Sequence, residues 1–420
     1  MSAIGLLLGL LVLAYFGSIL VGDRTIRGFG LPSGAEYLLL GFVLGPEVLG
    51  VITRSLITSF EPMLVVGAAW LALVAGIGYG QVGPRRVRVG RAVVGALFGL
   101  LVGAGVCGAV FWALRFSPTS ASLSLLDRLL LSASSGVVLS ETTRHTVRWV
   151  AERHGAKGTL LDTLADHARA SVLVPAMVLA VVFAAAPGGG LPGPVALRVG
   201  VTLGVGVLLG WVASLLLGRE FRRDESWGIF LGTSLLGMGV SARLGLSAVS
   251  TIFTMALTMS AVSPHRAELK AMVAPTEKPV LLPIAVLTGA FVDLGAASFI
   301  PLLVAAGIGG RLVLELARGA IVAAAVPSAR SAGPLLGLGM LSTGAFTLAA
   351  AIGLALRLPP PLGPSVLVLA SAGVLVGELL GPVLLRRALE RAQEIVPGVS
   401  HTPPPPSVDP GAPPPLGGAG

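Results

Sequence analysis

Long apolar runs separated by short polar gaps repeat along nearly the whole chain. Thirteen such runs cover residues 3–21, 35–53, 62–80, 92–114, 126–143, 159–184, 196–217, 227–242, 246–263, 279–295, 298–326, 332–356 and 365–385. About 20 apolar residues cross a bilayer as a helix. In lipid an open chain can satisfy its backbone only by helix formation. The pattern therefore predicts an all-α polytopic membrane protein with about 13 transmembrane helices. The first run is long and lacks a basic leader, so it reads as a retained helix, not a signal peptide. The chain divides into a transmembrane domain, 1–395, and a Pro/Gly-rich tail, 396–420, expected to be disordered.

Basic residues follow the same alternation. Gaps after odd-numbered runs, together with the segment after the thirteenth, hold clusters such as Arg85, Arg86, Arg88 and Arg91, or Arg144, Arg148, Arg153 and Lys157. The opposite gaps hold only Arg54, Arg115, Arg128, Arg198, Arg243 and Arg357. By the positive-inside rule the N-terminus lies outside and the C-terminus in the cytoplasm, as in a plasma (inner) membrane protein.

Composition sharpens this picture. Of 420 residues, 54% are hydrophobic and 12% charged, against about a quarter charged in soluble domains. The 58 glycines suit closely packed transmembrane helices. The net charge of +9 resides in the gaps, so it carries topology and does not point to nucleic acid. A single cysteine, Cys107, excludes an intrachain disulfide and a cysteine metal site. No phosphate-binding glycine motif, Ser–His pair or metal set is legible, so neither an enzyme nor a cofactor or metal site is expected.

Ionisable groups at membrane depth are costly and are candidates for function. Asp166 lies in the sixth run with Arg169 on the same helix face. It reads equally as a proton-exchanging carboxylate or as half of a static pair. Arg311, near the middle of the eleventh run, has Glu315 one turn along as a partner, and position alone favours a structural pair. Glu378 is expected near the cytoplasmic end of the thirteenth run, snorkelling or capping. His167 reads as structural, and Gly95, Gly99 and Gly103 form a ladder expected at a helix contact.

Two runs contain clusters of small and hydroxylated residues, Ser134-Ser135-Gly136 with Ser140-Glu141-Thr142-Thr143, and Gly337 through Thr347. Each alone reads as ordinary helix packing. As a pair they suggest unwound segments whose oxygens bind a monovalent cation. Runs two to six and nine to thirteen have opposite orientation, which sets the fifth run against the twelfth as in an inverted repeat. The candidate ion- or proton-binding residues are Asp166, Glu141, Ser140, Thr142, Thr143, Ser342 and Thr343. Arg311, Arg169 and Glu315 are the candidate charge-compensating residues.

The segment Leu38 to Gly50 (LLLGFVLGPEVLG), with Leu244 to Met255, Glu277 to Gly289, Leu336 to Thr347 and Gly377 to Pro382, resembles the transmembrane domain of the cation:proton antiporter superfamily. That superfamily includes sodium/proton exchangers and potassium-efflux antiporters. The resemblance spans about residues 1–395. It implies two crossing broken helices, a homodimer, and exchange of a monovalent cation (Na+ or K+) for protons. It matches Asp166 to the family's essential carboxylate and Arg311 to the basic residue that neutralises it in the empty state. Two positions depart from the pattern: Ala165 precedes the aspartate where Asp, Asn or Gln is usual, and Arg169 follows closely. Two other readings fit this architecture, a transport-dead membrane sensor or scaffold and a sodium-coupled organic-anion symporter.

Overall fold

The computed structural model describes residues 34–80, 89–188, 190–218 and 223–395. The first apolar run and the tail 396–420 lie outside these residues. Among them every regular element is helical. We label the helices α1 (Ala35–Leu44), α2 (Arg54–Ser59), α3 (Glu61–Gly80), α4 (Val89–Phe116), α5 (Leu125–Ser140), α6 (Arg144–His154), α7 (Thr159–Ser171), α8 (Leu173–Ala185), α9 (Val195–Leu216), α10 (Arg223–Leu244), α11 (Ala248–Val262), α12 (Arg266–Val273), α13 (Glu277–Ala290), α14 (Ile300–Ala325), α15 (Leu335–Leu338), α16 (Ala345–Arg357) and α17 (Leu362–Arg391).

Twelve of the thirteen expected runs coincide with one helix or with a pair in series. Among the described residues, seven spans are long and apolar enough to cross a membrane, and α1, α11 and α16 are shorter apolar helices. Large side chains such as Leu101, Trp112, Leu208, Leu216 and Leu235 are left exposed around the perimeter, where lipid is their solvent. The chain is a multi-pass membrane protein.

Three expected boundaries are corrected. The second run stops as a helix at Leu44, because Pro46 disfavours helical geometry at Gly45, which is extended. The fifth run does not end at Thr143. After a break the helix resumes as α6, whose buried face is Thr146, Val147 and Val150. Its polar face lines a cavity, so hydropathy read it as a gap. The thirteenth run continues to Arg391, and Glu378 is therefore buried inside α17, not snorkelling at its end.

Packing repeats with inverted symmetry. Gly41 of α1 rests on the α13 backbone at Val286, and Gly289 of α13 rests on α1 at Leu38, with no room for a Cβ at either. The exchanged contact is α3 against α11, where a Cβ on Gly76 would lie 2.6 Å from the Phe253 carbonyl oxygen. The glycine ladder of α4 meets α7 at His167 and Ser171 and then α5 at Ser140, so it serves helix packing. Helices α4–α8 with α14–α17 form a bundle around the two interrupted helices. Helices α1–α3 with α9–α13 stand beside it, with their own cluster of Leu73, Phe230, Met255 and Met259.

Candidate functional site at the helix crossing

A capping box of Ser124 and Asp127 starts α5, and the helix ends where Glu141 turns extended. The Thr143 side chain accepts from the His145 N–H at 3.2 Å and so starts α6. In the second interrupted helix α15 ends at Leu338, and α16 begins after Gly344. The two interruptions cross, joined by the Thr143 N–H donating to the Ser342 carbonyl at 2.9 Å.

Each interruption exposes helix ends inside the protein. Gly344 gives α16 no side-chain cap. Glu141 supplies it from the other chain segment. Its Oε2 accepts from the Thr347 N–H at 2.6 Å and from the Thr347 hydroxyl at 2.7 Å. A carboxylate is favoured at such an N-terminus by both the free donors and the helix dipole. Arg311 performs the converse task at the end of α5, where its Nη2 donates to the Glu141 carbonyl oxygen at 2.8 Å. Both side chains are about 3% exposed.

A second charged pair lies one turn away. Glu315 is met by Arg318 at 3.3 Å, and Arg318 also donates to the Thr142 hydroxyl at 3.3 Å. The expected partner of Glu315, Arg311, still attracts it through its charge, but the direct ion pair is with Arg318. Arg311 is drawn to the α5 carbonyl, and Glu315 takes the arginine three residues on instead. Arg318 also stacks over Phe98, 5.4 Å from the ring centre.

A cavity of about 120 Å³ opens between the bundle and the adjoining helices and reaches this crossing. Glu141, Thr143 and Gly344 form its inner wall. A Cβ on Gly344 would strike Glu141 Oε1 and lie 3.2 Å from Thr143 Oγ1, so these two oxygens converge on the space beside the glycine.

The other candidates are distributed differently. Ser140 donates back to the Val137 carbonyl at 3.1 Å and packs against Gly103. Ser342 donates to the Gly377 carbonyl at 3.1 Å. Thr343 is buried, with its hydroxyl unpartnered. Asp166 lies in the second turn of α7, away from the cavity wall. Its ion partner is Arg91 of α4 at 3.8 Å, and both side chains are about a quarter exposed. Arg169, the partner expected from the sequence, lines the cavity and still acts on Asp166 through its charge. Arg311 lies with Glu141, not with Asp166. His167 is buried against the Phe98 ring.

Sequence reasoning missed several contributors. Ser171 accepts from the Thr142 N–H at 3.2 Å and sits 3.0 Å from the Thr142 carbonyl, tying α7 to the break. Arg318 carried a signal as an arginine within a span. Thr347 lay at the end of the Gly337–Thr347 cluster without being singled out, and Ser171 carried no signal, because its role arises only from the crossing.

No protein-family model matches the sequence, and a search of curated proteins found no relative. Among solved structures, the chain is similar to the sodium proton antiporter MjNhaP1 from Methanocaldococcus jannaschii. Its structure at pH 8 aligns with a TM-score of 0.61 at 18% identity, covering 93% of this chain and 96% of that one. The electron-microscopy structure of the same antiporter gives 0.60 at 17% identity, covering 94% and 96%. The chain has the fold of the sodium/proton antiporters.

Proposed function

We propose that this protein exchanges a monovalent cation, Na+ or K+, for protons, and that Glu141 is the carboxylate the two ions share. The observation that carries this is a buried carboxylate at the crossing of two interrupted helices, on the inner wall of a cavity. Glu141 Oε1 and Thr143 Oγ1 are the ligands offered to the cation. A proton on Glu141 and a cation beside it exclude each other, because the protonated group has lost the charge that binds the metal. With access alternating between the two membrane faces, that exclusion couples the gradients. Arg311 and the helix ends fix the geometry. The bundle holding the crossing moves against the helices across the cavity. The transport domain is residues 1–395, with the C-terminus cytoplasmic in the plasma membrane, and the protein acts as a dimer.

Asp166 is the rival carrier, and one experiment separates the two. The protein is reconstituted in vesicles, and dissipation of a pH gradient is followed on adding lithium, sodium or potassium. Glu141→Gln abolishes exchange, and Asp166→Asn retains it. The reverse pattern overturns the assignment to Glu141. No cation-driven proton movement by the wild type, in either vesicle orientation, overturns exchange itself and leaves a sensor or scaffold. Sodium dependence without proton movement points to a symporter.

A further inference from the structure

The walls of the same cavity carry a charge pattern that cation exchange does not require. Arg144 and Arg148 face it from α6, Arg169 from α7 and Lys270 from α12. The carboxylates on the walls are Glu141 and Glu277. Both are engaged: Glu141 accepts from Thr347, and Glu277 faces His145 at 3.2 Å. Arg148 also reaches Glu152 at 3.4 Å, but that pair lies in solvent, where its neutralising effect is small. Arg144 is anchored by donating Nη1 to the Gly78 carbonyl at 3.0 Å. It is repelled by Arg169 and Arg148 and attracted by Glu277, and Lys270 is repelled by all three arginines. Four cations therefore converge on one small cleft whose walls carry two carboxylates, Glu141 and Glu277. Low-dielectric walls focus such a field into the cleft.

We infer that this vestibule is a binding site for a small oxyanion, a carboxylate or a phosphate, held by Arg144, Arg148, Arg169 and Lys270. Guanidinium forks match the paired oxygens of both groups, and the lysine adds a point charge. The volume of about 120 Å³ suits a small ion. A bound oxyanion turns mutual repulsion among the four cations into shared attraction. It also lowers the positive barrier that an alkali cation meets on its way to Glu141. The inference stands on the cavity walls and does not depend on Glu141 exchanging ions.

The test uses the purified full chain in detergent. Binding of radiolabelled inorganic phosphate is measured by equilibrium dialysis, and succinate serves as the carboxylate probe by competition and by thermal shift. Ionic strength is held constant with chloride. Saturable binding is expected for at least one probe. It weakens at least tenfold in Arg169→Gln and in Arg148→Gln, is restored in Arg169→Lys, and persists in Glu141→Gln and in the remote variant Arg54→Gln. Absence of saturable binding by both probes overturns the inference. So does binding that chloride reproduces, or binding of equal strength in the arginine-to-glutamine variants. Because Glu141→Gln keeps the oxyanion site and abolishes exchange, failure of one reading is distinguishable from failure of the other.

Discussion

Glu141 and Thr347 are joined by two hydrogen bonds to a single oxygen: the threonine's N–H and O–H both donate to Oε2, at 2.6 and 2.7 Å. The residues come from different interrupted helices, 206 positions apart in sequence. Thr347→Val keeps the shape and the N–H and removes the hydroxyl. A hydrogen bond to a charged group contributes about 1.5–3 kcal/mol. Unfolding of the detergent-solubilised variant should show a loss of that size, and Thr347→Ser should recover most of it. A loss within error in Thr347→Val would place the carboxylate elsewhere.

Gly344 is extended, at φ −107° and ψ −173°, which alanine also adopts. The obstacle to a side chain is steric, since its Cβ would meet the Glu141 carboxylate. Gly344→Ala is expected to assemble normally by size-exclusion chromatography and to lose at least tenfold in exchange rate, about 1.4 kcal/mol in the barrier. Normal flux would mean that the space beside the glycine is not used by the transported ion.

Arg318 holds Glu315 in a site almost closed to solvent, with the two side chains 3% and 1% exposed. Removing one partner of a buried pair costs roughly 3–5 kcal/mol, because the other charge is stranded. Arg318→Met should therefore be strongly destabilised. The double variant Arg318→Met/Glu315→Gln should regain much of the loss. A double-mutant cycle on thermal unfolding reads this directly, and simple additivity would exclude the pairing.

The start of α7 is capped from the far end of the chain. Glu394 Oε1 and Oε2 accept from the N–H groups of Leu160 and Leu161 at 2.7 and 2.8 Å, and its carbonyl accepts from Lys157 at 3.1 Å. Glu394→Ala should cost about 1–2 kcal/mol. It should speed hydrogen exchange selectively in the first turn of α7, while α4 stays protected. Unchanged exchange at Leu160 and Leu161 would count against the cap.

The sequence disclosed the helices where a single rule governs them. The run 298–326 becomes Ile300–Ala325 and the run 92–114 becomes Val89–Phe116, since lipid demands a long apolar stretch whatever its neighbours are. It failed at α6, where Arg144, His145 and Arg148 face a cavity and hydropathy cannot tell a wetted interior from a loop. The interruption at Ser140–Thr143 was legible from its small polar residues, and Glu141 was among the candidates there. Its partners were not, because Thr347 reaches it only through the crossing. For Asp166, depth could be counted along the helix, but the direction of the side chain could not. That direction depends on where α4 places Arg91.

The hydrogen bond from the Thr143 N–H to the Ser342 carbonyl has a mechanical meaning. Two unwound stretches are tied to each other where they cross. A swing of one half of the repeat past the other would have to break this bond, so the contact favours the two interrupted helices keeping their relation to each other.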